Sequence, residues 1–166
     1  MRTRSEALSD IGAIETLTVA AFLNAPHSSQ TEHFIVNALR RSGQLAVSLV
    51  AEEGDRIIGH VAVSPVSISD GSEGWYGLGP ISVAPGRQGQ GIGTGLIQEA
   101  LAALRRLDAA GCVVLGEPGY YGRFGFKAES ALMLPDVPAE YFQAIAFHGA
   151  IPHGTVTYHQ SFDARS

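Results

Sequence analysis

One stretch of sequence decides the fold of this chain: Ile81-Ser82-Val83-Ala84-Pro85-Gly86-Arg87-Gln88-Gly89-Gln90-Gly91-Ile92-Gly93-Thr94-Gly95. Its composition predicts a β-strand, a glycine-rich turn and the first turn of an α-helix, in that order. This arrangement gathers backbone N–H groups at the positive end of a helix dipole, where they bind phosphate oxygens without the help of a lysine. The stretch therefore predicts a binding site for a phosphate-bearing molecule.

The flanking sequence extends this unit into an α/β protein. Gly79-Pro80 interrupts the strand that leads into the turn, and we expect a β-bulge or splay there because proline removes a ladder hydrogen bond. Apolar residues recur at helical or strand spacing through the rest of the chain. We expect helices over residues 11–23, 32–43, 93–109 and 138–147, and strands over residues 45–52, 56–68, 75–83, 112–115, 127–134 and 154–161.

Length and composition narrow the class of protein. The 166 residues fit a single domain, 1–166, whose core needs no disulfide or metal. A net charge of −5 without a long basic cluster argues against a nucleic-acid partner. The one cysteine, Cys112, lies in an apolar run and indicates a reducing compartment. No apolar run approaches the length of a membrane span, so we expect a cytoplasmic protein with no membrane partner.

Two common phosphate-binding loops fit the glycine turn poorly. The NTPase loop needs a lysine followed by Ser or Thr after its last glycine, and no lysine lies near Gly93. The dinucleotide fingerprint fits better, since Glu117 follows the next strand where a ribose-binding acid is expected. However, Thr94 takes the place of its last glycine. About seventy residues then remain, too few to complete a doubly wound nucleotide domain.

A third spacing, Gln88-x-x-Gly91-x-Gly93, resembles the pyrophosphate motif of the GNAT superfamily of acetyl-CoA-dependent N-acetyltransferases. A second motif of that superfamily, a tyrosine shortly before Gly-Phe, is matched by Gly-Tyr-Tyr-Gly-Arg-Phe-Gly-Phe at residues 119–126, a segment that looks like one bacterial branch of the family. The order of predicted elements is similar too. The resemblance implies a GNAT fold: a mixed, mostly antiparallel sheet of about seven strands with a central splay, flanked by about four helices.

The resemblance also implies how the chain would hold acetyl-CoA, its expected co-substrate. The splayed strand would expose backbone groups of Ile81 and Val83 that pair with the pantetheine amides, as an added strand would. Backbone amides of the turn would wrap the diphosphate, and glycines there permit close approach and positive φ angles. The residues expected to supply these amides are Gln88, Gly89, Gln90, Gly91, Gly93 and Thr94.

By the same resemblance, Tyr121 is the candidate catalytic acid. The coenzyme A thiolate that leaves when an amine attacks the thioester needs a proton or a hydrogen bond, and a buried phenol supplies either. The alternative is aromatic packing beneath the cofactor, which we favour for Tyr120. The general base is left open: Glu117 is the leading candidate, His60 fits a core histidine as well as a base, and Glu73 fits loop charge.

We therefore expect an enzyme that moves an acetyl group from acetyl-CoA to a primary amine. Direct attack in a ternary complex is expected because a buried Cys112 cannot carry the acyl group. The competing hypothesis is a non-catalytic acyl-CoA-binding or regulatory domain. The acceptor would be a small amine or a peptide, and the protein a monomer or homodimer. We expect no metal, since the histidines lack zinc-ligand spacing.

Overall fold

A computed structural model describes residues 1–166, and nine strands in it form one mixed sheet. The strands lie in the order β1-β2-β3-β4-β5-β8-β6, while β9 joins β3 and β7 joins β9. The strands are β1 (Arg2–Ser5), β2 (Val47–Glu53), β3 (Arg56–Ile68), β4 (Trp75–Val83), β5 (Gly111–Leu115), β6 (Lys127–Ala128), β7 (Leu132–Met133), β8 (Phe142–Ala146) and β9 (Gly154–Tyr158). The helices are α1 (Ile11–Phe22), α2 (Glu32–Arg41), α3 (Ile92–Arg106) and α4 (Pro118–Tyr121).

Most strand pairs are antiparallel, as expected; β4–β5 and β7–β9 are the parallel ones. The β4–β5 connection contains α3, the crossover helix that a parallel pair requires. The first two helices lie on the other face of the sheet. Both ends of α2 suit the helix dipole, with Glu32 in the first turn and Arg40 and Arg41 in the last.

The expected interruption of β4 is present and opens the sheet. Between the pairs Val61–Ile81 and Val63–Leu78, β4 advances three residues while β3 advances two, so β4 carries one extra residue at Gly79-Pro80. Pairing of β4 with β5 ends at Gly77, three residues into β4. Beyond that point the two strands diverge, and the edge of β4 that faces β5 is free of strand partners.

The core lies in separate layers on the two faces of the sheet. The α3 face buries a stripe at helical spacing, which includes Leu96, Ala100 and Leu104, against β2, β3 and β4. On the opposite face, Ile14 of α1 and Val36 of α2 pack against the middle of the sheet. The C-terminal segment covers the rest of that face around Trp75. The sheet is therefore covered on both faces.

Two expectations for the C-terminal third are wrong. The predicted helix over 138–147 is a short turn at Ala139–Tyr141 followed by β8, because the apolar run fits strand and helix periods equally. The segment forms a strand because it pairs with β5 on one side and β6 on the other. Its polar residue Gln143 is buried there, and the side-chain amide donates to the Gly116 carbonyl at 3.1 Å. The predicted strand over 127–134 is two two-residue strands, β6 and β7.

The N-terminal strand β1 has no apolar alternation, so its sequence does not predict it. It is an edge strand that pairs along its length with β2, and Arg4 adds ion pairs with Asp10 at 2.7 Å and with Glu52 at 3.1 Å. None of the helices combines the length and the apolar character that crossing a membrane would need.

Candidate active site

A cavity of about 420 Å³ lies where β4 and β5 diverge. Its walls come from the free edge of β4, the glycine turn with the start of α3, and the segment after β5. The lining residues are Ile81, Val83, Arg87, Gln88, Gly89, Gly91, Ile92, Gly93, Thr94, Ile97, Tyr120, Tyr121 and Arg123.

The glycine turn presents unpaired backbone amides to this cavity. Gly89 and Gly91 have φ angles of 76° and 85°, a region that residues with a Cβ avoid. The first hydrogen bond of the following helix runs from the Gly95 N–H to the Gly91 carbonyl at 3.0 Å. The N–H groups at the first positions of α3 therefore have no partner within the helix and carry its positive dipole end. The arrangement is suited to an anion.

The free edge of β4 faces the same cavity with polar backbone groups. The Ala84 N–H donates to the Ile58 carbonyl of β3 at 2.9 Å. Since consecutive residues of a strand direct their hydrogen-bonding groups to opposite edges, those of Val83 and Ile81 point away from β3. The Val83 carbonyl accepts a hydrogen bond from the Gln88 side chain at 3.3 Å, which confirms that direction.

Tyr120 and Tyr121 form the wall opposite the glycine turn, and their environments differ. The Tyr120 hydroxyl lies 3.0 Å from Thr94 Oγ1, so it bridges the cavity to the first turn of α3. The two rings meet edge to face with centroids 5.1 Å apart. An Arg123 guanidinium covers the Tyr120 ring at 4.8 Å, within the range of a cation–π contact.

Tyr121 packs against a different set of groups from Tyr120. Its ring packs edge to face on Phe126 and against the backbone at Gly116, where a Cβ would lie 2.3 Å from the ring. Gly116 is therefore required by close approach rather than by its φ angle. Burial, and secondarily the neighbouring Tyr120, raises the pKa of Tyr121 to about 12, so its hydroxyl stays protonated and is a hydrogen-bond donor at neutral pH.

Comparisons with known proteins agree with this geometry. Residues 44–128 match the model of a family described as acetyltransferase (GNAT) domain. The chain belongs to the GNAT acetyltransferase family. A solved structure of a GNAT family acetyltransferase from Brucella melitensis in complex with acetyl-CoA is 49% identical, with a TM-score of 0.88 and coverage of 98% of this chain and 97% of that one.

The second similar protein is YhbS of Escherichia coli, described as an uncharacterized N-acetyltransferase. It is 36% identical over 115 residues, which are 69% of this chain and 69% of YhbS. Its solved structure in complex with CoA has a TM-score of 0.87 and covers 99% of this chain and 93% of that chain at 31% identity. The fold expectation, a GNAT sheet opened at its centre, is thus confirmed.

The structure gathers most of the sequence-predicted site residues into the one cavity. Gln90 stays outside the lining: its side chain accepts from Arg87 Nε at 2.9 Å and donates to the Gly86 carbonyl at 3.3 Å. The residues that do line it are Ile81, Val83, Gln88, Gly89, Gly91, Gly93, Thr94 and Tyr121. Their individual roles stay predictions.

The candidate bases are not in this cavity. Glu117 is exposed at the start of α4, outside the lining, and Glu73 is exposed in the loop before β4. His60 is fully buried in β3, where Ser48 Oγ lies 2.8 Å from its Nε2. Burial lowers the pKa of His60 to about 4, so it is a neutral core residue at neutral pH. The catalytic role of Glu117 stays a prediction.

The motifs do not predict two arginines of the lining, or one contact of Tyr120. Arg87 and Arg123 both line the cavity, and Tyr120 touches Thr94 across it. Helical spacing is the available signal, since Arg123 follows Tyr120 by three residues, in the 3-10 turn that continues α4. No cluster of three histidine, cysteine or acidic residues is placed to hold a metal ion.

Proposed function

We propose that this GNAT acetyltransferase binds acetyl-CoA in the cavity between β4 and α4 and transfers the acetyl group to a primary amine. One observation supports this most: a free strand edge, an anion-binding helix start and the partly buried phenol of Tyr121 line a single cavity. The strand edge suits the amides of pantetheine, the helix start suits the diphosphate, and the phenol suits the thioester. The similar proteins of Brucella melitensis and Escherichia coli were solved with acetyl-CoA and CoA.

In this proposal the cofactor lies along the free edge of β4. Its pantetheine amides pair with the outward backbone groups of Ile81 and Val83, as an added strand would. Its diphosphate meets the N–H groups of Gly91, Gly93 and Thr94, where the dipole of α3 favours negative charge. The thioester then lies where the sheet opens, beside Tyr121.

The chemical step is an exchange of one bond for another at the acetyl carbon. The amine nitrogen forms a C–N bond, the C–S bond breaks, and the electron pair leaves on the coenzyme A sulfur. The nitrogen loses one proton and the sulfur gains one, so the products are an amide and a free thiol. Positioning of the two reactants supplies much of the rate in such a ternary complex.

Tyr121 stabilises the departing sulfur as a hydrogen-bond donor in this scheme. With its pKa near 12, full proton transfer to a thiolate whose conjugate acid has a pKa near 8.5 is uphill by about 3.5 pKa units. A hydrogen bond to the developing negative charge needs no such transfer and is strongest in the transition state. Tyr121 thus acts electrostatically, and the sulfur receives its proton from water.

No carboxylate or imidazole lines the cavity, so the proton lost by the amine leaves through water. Exposed Glu117 is the nearest candidate in sequence to receive it. Cys112 takes no part in the transfer: it is fully buried in β5, and burial raises the pKa of its thiol far above its usual range. Direct transfer follows, because no other cysteine is present to carry the acetyl group.

Tyr121→Phe tests the catalytic part of the proposal. We expect release of thiol from acetyl-CoA, measured over a panel of primary amines, to fall about a hundredfold, while CoA affinity by calorimetry changes little. Tyr141→Phe is the matched control, since Tyr141 is 39% exposed on the turn before β8 and lies outside the cavity. Unchanged turnover in Tyr121→Phe would remove its catalytic role, and absence of CoA binding in the unmodified protein would remove the proposal.

A further inference from the structure

Two arginines line the cavity, and only one of them is paired with a carboxylate. The Arg87 guanidinium makes a two-pronged ion pair with Glu53, at 2.7 and 3.0 Å, and its Nε donates to Gln90. The pair holds the pKa of Glu53 below its usual range. Because both charges are engaged with each other, Arg87 adds little net positive charge to the wall of the cavity.

Arg123 is the uncompensated cation. No carboxylate lies within ion-pair distance of it, and its guanidinium stacks over the Tyr120 ring. The same Tyr120 ring carries the hydroxyl that lies 3.0 Å from Thr94 Oγ1, in the first turn of α3. Arg123 is thereby held across the cavity from the anion-binding helix start.

We propose that Arg123 binds a phosphate group of the nucleotide half of coenzyme A and makes the cavity selective for coenzyme A over acyl donors that lack this half. The inference rests on the proposed function. Coenzyme A carries two phosphates in its diphosphate and a third on the ribose. The helix start contributes roughly half a positive charge, so a polyanion needs a further cation elsewhere in the lining of the cavity.

Charge in the rest of the molecule makes this cation more important. The chain has a net charge of −5, which repels a polyanion at long range. A guanidinium suits a phosphate because its planar fork donates two parallel hydrogen bonds. Stacking on Tyr120 restricts the side chain before the ligand arrives, so less conformational entropy is lost on binding.

The test measures the dissociation constants of coenzyme A, dephospho-coenzyme A and acetylpantetheine by calorimetry. We expect Arg123→Ala to weaken coenzyme A binding about tenfold and to leave acetylpantetheine binding unchanged. It should also flatten the dependence of coenzyme A affinity on salt concentration, which a purely structural loss would not do. The third ligand identifies which phosphate Arg123 binds. If Arg123→Ala leaves the affinity for dephospho-coenzyme A unchanged, the partner is the ribose phosphate. If Arg123→Ala weakens dephospho-coenzyme A by the same factor as coenzyme A, the partner is the diphosphate.

Arg105→Ala is the matched control. Arg105 is also stacked on an aromatic ring, with its guanidinium 4.4 Å from the centre of Phe147, but it lies outside the cavity. The control removes the same charge and a similar contact, so its coenzyme A affinity should stay within about twofold of the unmodified protein. Equal coenzyme A affinity in Arg123→Ala and Arg105→Ala overturns the inference while leaving the proposed function in place.

Discussion

The wall of the cavity formed by β4 and the start of α3 is made mostly of backbone, whereas the wall formed by residues 116–123 is made mostly of side chains. On the first wall, positive φ angles at Gly89 and Gly91 aim N–H groups inward. On the second, the rings of Tyr120 and Tyr121 and the guanidinium of Arg123 face the cavity. The two walls should respond differently to mutation.

The backbone wall suits a ligand part that is the same for every acyl donor. Its hydrogen bonds persist under most side-chain changes and fail only where a change alters the backbone itself. The side-chain wall holds the groups that act on charge as the reaction proceeds. Single substitutions there should therefore alter turnover or ligand selectivity without unfolding the protein.

The largest effect expected from a glycine is at Gly116, in the side-chain wall. An alanine Cβ there would lie 2.3 Å from Tyr121 Cε2, and the ring must move to make room. Since displacement of a catalytic group by about 1 Å can cost a hundredfold, we expect Gly116→Ala to reduce turnover by roughly that factor while CoA affinity is retained.

The control for Gly116 is Gly119→Ala. Gly119 lies in α4, has no atoms within 4 Å of an added Cβ and has no positive φ angle. Turnover of Gly119→Ala in a thiol-release assay should equal that of the unmodified protein. If Gly116→Ala is as active as Gly119→Ala, then the position of the Tyr121 ring does not limit the reaction.

A smaller effect, on affinity rather than turnover, is expected in the backbone wall. Gly91 has a φ angle of 85° directly before α3, and an alanine there costs about 1–2 kcal/mol in that conformation. We expect Gly91→Ala to lower the melting temperature by several degrees and to weaken CoA binding about tenfold, because relief of the strain turns the helix amides away.

Gly95→Ala is the matched change within the same helix. Gly95 has no positive φ angle and open space around its Cβ position, so alanine should raise the melting temperature through better helix propensity. Its CoA affinity should be unchanged. If Gly95→Ala lost as much CoA affinity as Gly91→Ala, the loss would come from any substitution near the start of α3 and not from the positive φ angle of the turn.

The two walls also differ in how far the sequence predicts them. The backbone wall follows from local chemistry: Gly79-Pro80 breaks the β4–β5 pairing, and closely spaced glycines permit the turn, so neighbouring residues suffice. In the side-chain wall, Tyr121 is predicted by the motif at residues 119–126. In contrast, the ion pair that neutralises Arg87 is made with Glu53, 34 residues earlier at the end of β2, and no local pattern predicts that contact.

Strand β8 shows the same limit for the fold. Phe142-Gln143-Ala144-Ile145-Ala146 has too few polar residues to distinguish a strand buried on both faces from a helix. Tertiary pairing with β5 and β6 decides between them. The short strand β1 is similar, since pairing with β2 and ion pairs with Glu52, far along the chain, hold it in place.

A third and weaker effect is expected from the ion pair at the edge of the cavity. Glu53→Gln removes the carboxylate that engages Arg87, so Arg87 becomes a second free cation beside the helix start. We expect CoA to bind about threefold more tightly, with the gain largest at low salt. Glu52→Gln, which removes a carboxylate paired with Arg2 and Arg4 instead, should leave CoA affinity unchanged.

Combining Glu53→Gln with Arg123→Ala tests whether the two arginines act on the same ligand. If both act through charge on the same ligand, the double variant should recover part of the affinity lost in Arg123→Ala, as measured by calorimetry at two salt concentrations. No recovery at low salt would mean that Arg87 cannot reach the ligand even when it is free.

The smallest expected effect is on the alkaline side of the pH profile, and it distinguishes the environment of Tyr121 from that of a free phenol. A donor is active while protonated, that is, at pH values below its pKa. Because the pKa of Tyr121 is raised to about 12, kcat/KM should rise as the acceptor amine loses its proton and should show no decline up to pH 10.5. A phenol with the ordinary pKa of about 10 would instead cause a decline centred near that pH. Such a decline, seen while the melting temperature holds at pH 10.5, would show that Tyr121 is more exposed in the working enzyme than its packing on Phe126 and Gly116 indicates.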